Sequence, residues 1–115
     1  MANNIAFQAM GKSVCIQAPT ANTQSNVYTI TADSPCQQYY LTNHDVTYSV
    51  NVLITTDSSA NISLPSANGA YGICLPPFGY RTITGPQVKS SSNVYARIIS
   101  DGANVKVTVC PGEGL

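Results

Sequence analysis

The chain has 115 residues, of which only 9% are charged against about 25% in an average soluble protein, and its five acidic and five basic side chains cancel. A neutral surface lacks the field that clusters of Lys and Arg use to draw in nucleic acid or an anionic membrane, so neither is expected as a partner. A single domain of this length buries roughly two thirds of its unfolded surface, enough to fold without a disulfide or a metal.

No stretch approaches the ~20 consecutive apolar residues of a membrane span. The first ten residues have neither the basic start nor the apolar core of a signal peptide, which predicts a product that stays in the cytoplasm of the cell translating it. Low net charge removes self-repulsion and favours a protomer that lives in an assembly. Cys15, Cys36, Cys74 and Cys110 form no C-x-x-C pair and have no nearby His, so a zinc site is not expected. Three disulfide connectivities are arithmetically open, but a cytoplasmic product starts reduced, and the four are expected as buried free thiols.

In chain order, residues 1–10 carry no charge and include Ile5, Phe7 and Met10. They read as an N-terminal arm, docked on the domain's own flank or reaching a neighbouring subunit, with residues 11–115 as one domain. Val14, Ile16 and Ala18 alternate with Cys15 and Gln17 as a strand, and the polar run 20–26 is a loop. Residues 27–31 form a second strand, stopped by Asp33-Ser34-Pro35, and 37–42 a third. The short turn Asn43-His44-Asp45 then predicts a hairpin into the longest alternation of the chain. There Val46, Tyr48, Val50, Val52 and Ile54 fall on every second position, so 45–57 reads as a long strand near the middle of a sheet.

After Asp57 the pieces shorten. Ile62-Ser63-Leu64, Gly72-Ile73-Cys74-Leu75 and residues 80–84 are bounded by prolines and glycines, which suits sheet edges. Gly85-Pro86 and Ser90-Ser91-Ser92 read as loops. The last two strands, 94–99 and 105–110, are separated by Asp101-Gly102, which predicts a tight hairpin. Eight or nine short strands without a helical pattern predict an all-β, antiparallel β-sandwich, jelly-roll-like in kind.

Candidate chemistry is sparse. His44 is the only histidine and lacks a Ser or Cys partner at any motif spacing, so it reads as a solvated turn residue. Asp33, Asp45, Asp57 and Asp101 fall in predicted turns, where Asp is favoured because its carboxylate bonds the backbone nearby. No catalytic residue, cofactor or metal is expected. Of seven tyrosines most suit strands, but Tyr71 and Tyr80, with Phe78, lie in the Gly/Pro-rich middle, where loops present binding residues. With Ile5 and Phe7 of the arm, these are the expected partner contacts.

Three stretches carry a resemblance. They are Ala2-Asn3-Asn4-Ile5-Ala6-Phe7-Gln8 with Gly11-Lys12, the turn Asp33-Ser34-Pro35-Cys36, and the ending Val105-Lys106-Val107-Thr108-Val109-Cys110-Pro111-Gly112-Glu113-Gly114. Together they resemble the small virion structural proteins of tailed bacteriophages, closest in kind to head decoration, or cement, proteins. The resemblance implies a jelly-roll sandwich on the outside of the expanded capsid, commonly a homotrimer at three-fold positions. Its partners would be the major capsid protein and itself, its place the virion exterior, and its role to stabilise the head without enzymatic activity. The alternative is a tail- or fibre-associated protein that binds carbohydrate or serves as an accessory part.

Overall fold

The computed structural model describes residues 8–64, 72–88 and 93–113. Among them there is no helix, and nine strands form: β1 (Gln8–Ala9), β2 (Val14–Ala18), β3 (Tyr28–Ile30), β4 (Cys36–Asn43), β5 (Val50–Thr55), β6 (Ile73–Leu75), β7 (Tyr80–Val88), β8 (Val94–Ile99) and β9 (Val105–Glu113). They make two antiparallel sheets packed face to face, an all-β sandwich. One sheet runs β2-β9-β4-β7, with β1 also on β9, and the other β3-β8-β5-β6. Pairing is nested: β5 with β6, β4 with β7, β3 with β8 and β2 with β9. From β2 onward every connection except β5–β6 therefore crosses from one sheet to the other.

β1 and β2 lie end to end along β9, with Gln8 opposite Glu113, Ala9 opposite Gly112, and Val14 to Ala18 opposite Val109 to Val105. Between them the Met10 N–H donates to the Pro111 carbonyl (2.9 Å) and the Met10 carbonyl accepts from Asp33 (2.6 Å). Residues 8–10 thus dock on the molecule's own sheet, while residues 1–7 of the expected arm lie outside the described residues.

Alternation puts one face of each strand into a single core. Ile16, Ala18, Ile30, Tyr39, Leu41, Val50, Val52, Leu75, Val94, Ala96, Ile98, Val105, Val107 and Val109 pack there, all buried. Each large aliphatic side chain contributes about 1.5–3 kcal/mol by leaving water. Tyr39 enters this core because its hydroxyl finds a partner, donating to the Pro86 carbonyl. Burial, then the charge of Cys36, raises its pKa, so the phenol stays neutral.

Several expectations are corrected. The segment 45–49 is not strand: Asp45 Oδ2 accepts the N–H groups of Thr47 (2.9 Å) and Tyr48 (2.6 Å), and this local turn competes successfully with sheet pairing. Val46 is 64% and Tyr48 41% exposed, whereas Val50 and Val52 are buried as expected. No hairpin joins β4 to β5, since they belong to different sheets. Nor do β8 and β9 form one. Their connection is a corner held by Ser100, whose hydroxyl donates to the Ser49 carbonyl (2.7 Å) and accepts the Gly102 N–H (3.1 Å). Asn104 supplies the positive φ at 60°, while Gly102 lies against the Tyr48 ring, where a Cβ would come within 2.2 Å of Cδ2. Gly85-Pro86 is strand rather than loop; β7 is an edge strand, where a proline need not donate to a ladder. The short β6 is an edge strand as well, as expected.

The cysteines are free, but only Cys36 is buried; Cys110 is intermediate, and Cys15 and Cys74 are exposed. Strand alternation explains the difference. Cys15 sits between buried Ile16 and half-buried Val14, and Cys74 between half-buried Ile73 and buried Leu75, so both point to the outer faces. Burial, followed by the charges of Glu113 and Cys110, pushes the Cys36 thiol up, which keeps it protonated and unreactive at neutral pH. Titration of native protein with a thiol reagent is expected to show two fast groups, Cys15 and Cys74, then slower Cys110. Cys36 should join only on unfolding. Four slow thiols in the native state would contradict the outward facing of Cys15 and Cys74.

Candidate functional site

The site is the end of the sandwich where β4 hands over to residues 44–49 and β6 turns into β7. Its frame is Asn43, fully buried at the close of β4. Its Nδ2 donates to the carbonyls of Tyr48 (3.0 Å) and Pro76 (3.0 Å), with that of Leu75 at 3.4 Å. Its Oδ1 accepts the Asp45 N–H (2.9 Å), and its own N–H donates to Gly79 (2.9 Å). One side chain thereby ties two loops that are more than twenty-five residues apart in the chain. A further main-chain bond, Phe78 N–H to the Asp45 carbonyl (2.9 Å), holds the Phe78 backbone against Asp45, the residue before Val46.

The turn itself closes through the Gly79 N–H to the Pro76 carbonyl (2.7 Å). Pro77 suits its second position, but the third holds Phe78 at φ 56°, where such turns ordinarily place Gly or Asn. For a bulky L-residue that backbone costs on the order of 1 kcal/mol. The cost is not returned by packing, because the Phe78 side chain is 66% exposed. Tyr80, at the start of β7, is 72% exposed, with its ring 6.1 Å from that of half-buried Tyr40 and tilted by 56°. Val46, Phe78 and Tyr80 are thus the three most exposed large apolar side chains among the described residues.

Of the expected contact residues, Phe78 and Tyr80 are brought to this end of the molecule, while Ile5, Phe7 and Tyr71 lie outside the described residues. Val46 and Asn43 were missed. Val46 was hidden in an alternation that looked like strand, and Asn43 looked like an ordinary turn residue. His44 is exposed, as expected, and its Nε2 meets Thr108 Oγ1 at 2.6 Å. Among the described residues no three His, Cys, Asp or Glu side chains come together as a metal would require, and no helix is long and apolar enough to cross a membrane.

The arrangement defines an all-β scaffold that holds an aromatic and aliphatic tip outward on a rigid, cross-tied base. No protein-family model, curated protein or solved structure matches the chain.

Proposed function

We propose that this protein is a head decoration, or cement, protein. In this reading a jelly-roll module, acting as a homotrimer, docks on the outer surface of a capsid, contacts the major capsid protein and stabilises the shell without catalysing a reaction. The nested strand pairing supports the jelly-roll part, being the order of two Greek keys rolled together. The observation that carries the functional part is Phe78. It combines a strained backbone with an exposed ring, two costs that make sense together where a partner covers the ring on docking. The near absence of charge agrees with attachment through apolar contacts and amide hydrogen bonds rather than ion pairs.

The test uses capsid shells stripped of the protein and then reconstituted with it. Phe78→Asn removes the ring while Asn accepts the left-handed backbone, so thermal stability should hold or rise by up to about 1 kcal/mol. Shell binding should fall about tenfold or more, as for loss of an aromatic anchor. Binding of the wild-type chain should change little between ~0.1 and ~1 M NaCl, because apolar contacts are not screened. Undiminished binding by Phe78→Asn, or ready release by salt, would refute the reading, and a virion copy number too low to cover the shell would favour a tail part instead.

A further inference from the structure

The edges of the two sheets are not alike. β3 and β6 offer three residues each, and β6 runs straight into Pro76-Pro77. β2 offers five, flanked by Lys12 and Pro19, and its inward side chains Ile16 and Ala18 are already 0% exposed. β7 is different. The second half of its nine residues is blunted, because Gly85, Pro86 and Gln87 together face the single Gln37 of β4, with Thr84 opposite Gln38 and Val88 opposite Cys36 on either side. A bulge that carries a proline is a usual guard of a free edge. The first half, residues 80–84, pairs residue for residue with 38–42 and has no proline, lysine or acid. Among the described residues nothing pairs with its other side.

We infer that residues 80–84 form a self-recognition edge, on which a second copy of this chain docks its own residues 80–84 antiparallel, about a two-fold axis at Thr82. The edge selects an extended backbone, because a row of unpaired main-chain N–H and C=O groups is met one for one only by another strand. The side chains select the copy. About Thr82, aromatic Tyr80 comes opposite the β-branched Thr84 of the second copy, Arg81 opposite its Ile83, and Thr82 opposite its own counterpart, all favourable or neutral cross-strand pairs. An axis at Arg81 would instead set two guanidinium groups opposite each other, so the register is specified. The zero net charge of the chain adds no long-range repulsion between copies.

Burial points the same way. Ile83 lies opposite fully buried Tyr39 on the core side of the sheet, yet at the rim it is only half-buried, and Tyr80 on the outer side is 72% exposed. A second β7 continues the sheet past both side chains and covers them. β2, whose inward residues are already sealed, would gain no such cover. Five residues a side are far fewer than the about 20–30 of a standard interface, so the contact is weak in dilute solution and strengthens where copies are held close together. Being two-fold, it is additional to a three-fold association and links one trimer to the next. It follows from the edge alone and does not rest on the docking tip.

The experiment traps the pair. Directly opposite Cβ atoms in such a ladder lie about 4.5–5.5 Å apart, close to the reach of a disulfide. The full chain carrying Thr82→Cys, in a Cys15→Ser, Cys74→Ser background that removes the exposed thiols, is treated with the two-electron oxidant diamide and followed on non-reducing gels. A covalent dimer is expected to form about tenfold faster than with Thr29→Cys, a control at an exposed position of β3. Adding Tyr80→Asp and Thr84→Asp sets carboxylates opposite one another at both ends of the pairing and should slow the reaction about fivefold. Tyr80→Lys with Thr84→Asp sets opposite charges there and should not slow it. Positions 80 and 84 are both exposed, so the fold is spared. For the unmodified chain, sedimentation should show a mass that rises with concentration, and Tyr80→Asp with Thr84→Asp should remove that rise. Equal rates for Thr82→Cys and Thr29→Cys, rates indifferent to the two charge patterns, or sedimentation unchanged by the paired carboxylates would overturn the assignment. Phe78→Asn should leave crosslinking intact, so failure of this edge and failure of the docking tip read out separately.

Discussion

Val50→Asp is expected to abolish cooperative folding. Val50 is 1% exposed at the start of β5, an interior strand bonded to β6 on one side and β8 on the other, and opposite Leu75, which is also 1% exposed. The substitution forfeits about 1.5–3 kcal/mol of apolar burial. It also places a carboxylate among Val, Leu and Ile side chains with no cation in reach, at a further cost of several kcal/mol. Against a total stability of about 5–15 kcal/mol the sum removes most or all of the folded population. Circular dichroism should show no sharp thermal transition. The companion change Val46→Asp separates the structure from the simple alternation. In an unbroken strand Val46 would share the buried face of Val50, but it is 64% exposed, and its stability should shift by no more than about 0.5 kcal/mol. A cooperative Val50→Asp protein, or an unfolded Val46→Asp one, would contradict this placement of β5.

The same pair shows what the sequence makes legible. Alternation is local, so the strands around Val14, Tyr39, Val52, Ile98 and Val107 could be located, as could the burial of Val50 and Val52, whereas Cys15 and Cys74 were placed on the wrong face. The two-layer all-β class follows from them. Pairing is not local. Asp101-Gly102 and Asn43-His44-Asp45 both have the composition of hairpin turns, yet both connections cross between sheets, because Ser100 and Asn43 bond to carbonyls on distant segments. Such bonds leave no periodic trace. The contact tip was partly legible for a related reason: Phe78 and Tyr80 stood out as aromatics in a Gly/Pro-rich stretch. The Asp45 carboxylate that turns Val46 outward, by contrast, is recognisable only once its two N–H donors are seen. Asn51 reads in the sequence as the polar half of an alternation, and only its burial marks it as unusual.

Asn43→Asp is expected to have the second large effect, and to couple stability to the tip. The replacement keeps an acceptor for the Asp45 N–H but turns the donor side into a carboxylate oxygen facing the carbonyls of Tyr48, Pro76 and Leu75. An unpaired buried charge beside carbonyl oxygens costs about 3–5 kcal/mol. The cost has a pH signature. Burial and the facing carbonyls raise the new carboxyl's pKa in the folded state above its unfolded value of about 3.9. Between the two values the folded chain keeps a proton that the unfolded chain has released, so stability relative to wild type falls as pH rises through that window. The deficit in melting temperature should be small near pH 4 and large near pH 7. Asn43→Ala, which deletes the same ties without adding a charge, should cost about 2 kcal/mol with no such dependence. Both variants remove the side-chain ties from residue 43 to the Tyr48 and Pro76 carbonyls, leaving the main-chain bond from the Phe78 N–H to the Asp45 carbonyl as the remaining hold on the spacing of Val46 and Phe78. Shell binding should therefore fall even under conditions where the variants remain folded. A pH-independent deficit in Asn43→Asp would mean that the side chain is solvated, and undiminished binding by folded Asn43→Ala would mean that the tip does not depend on this tie.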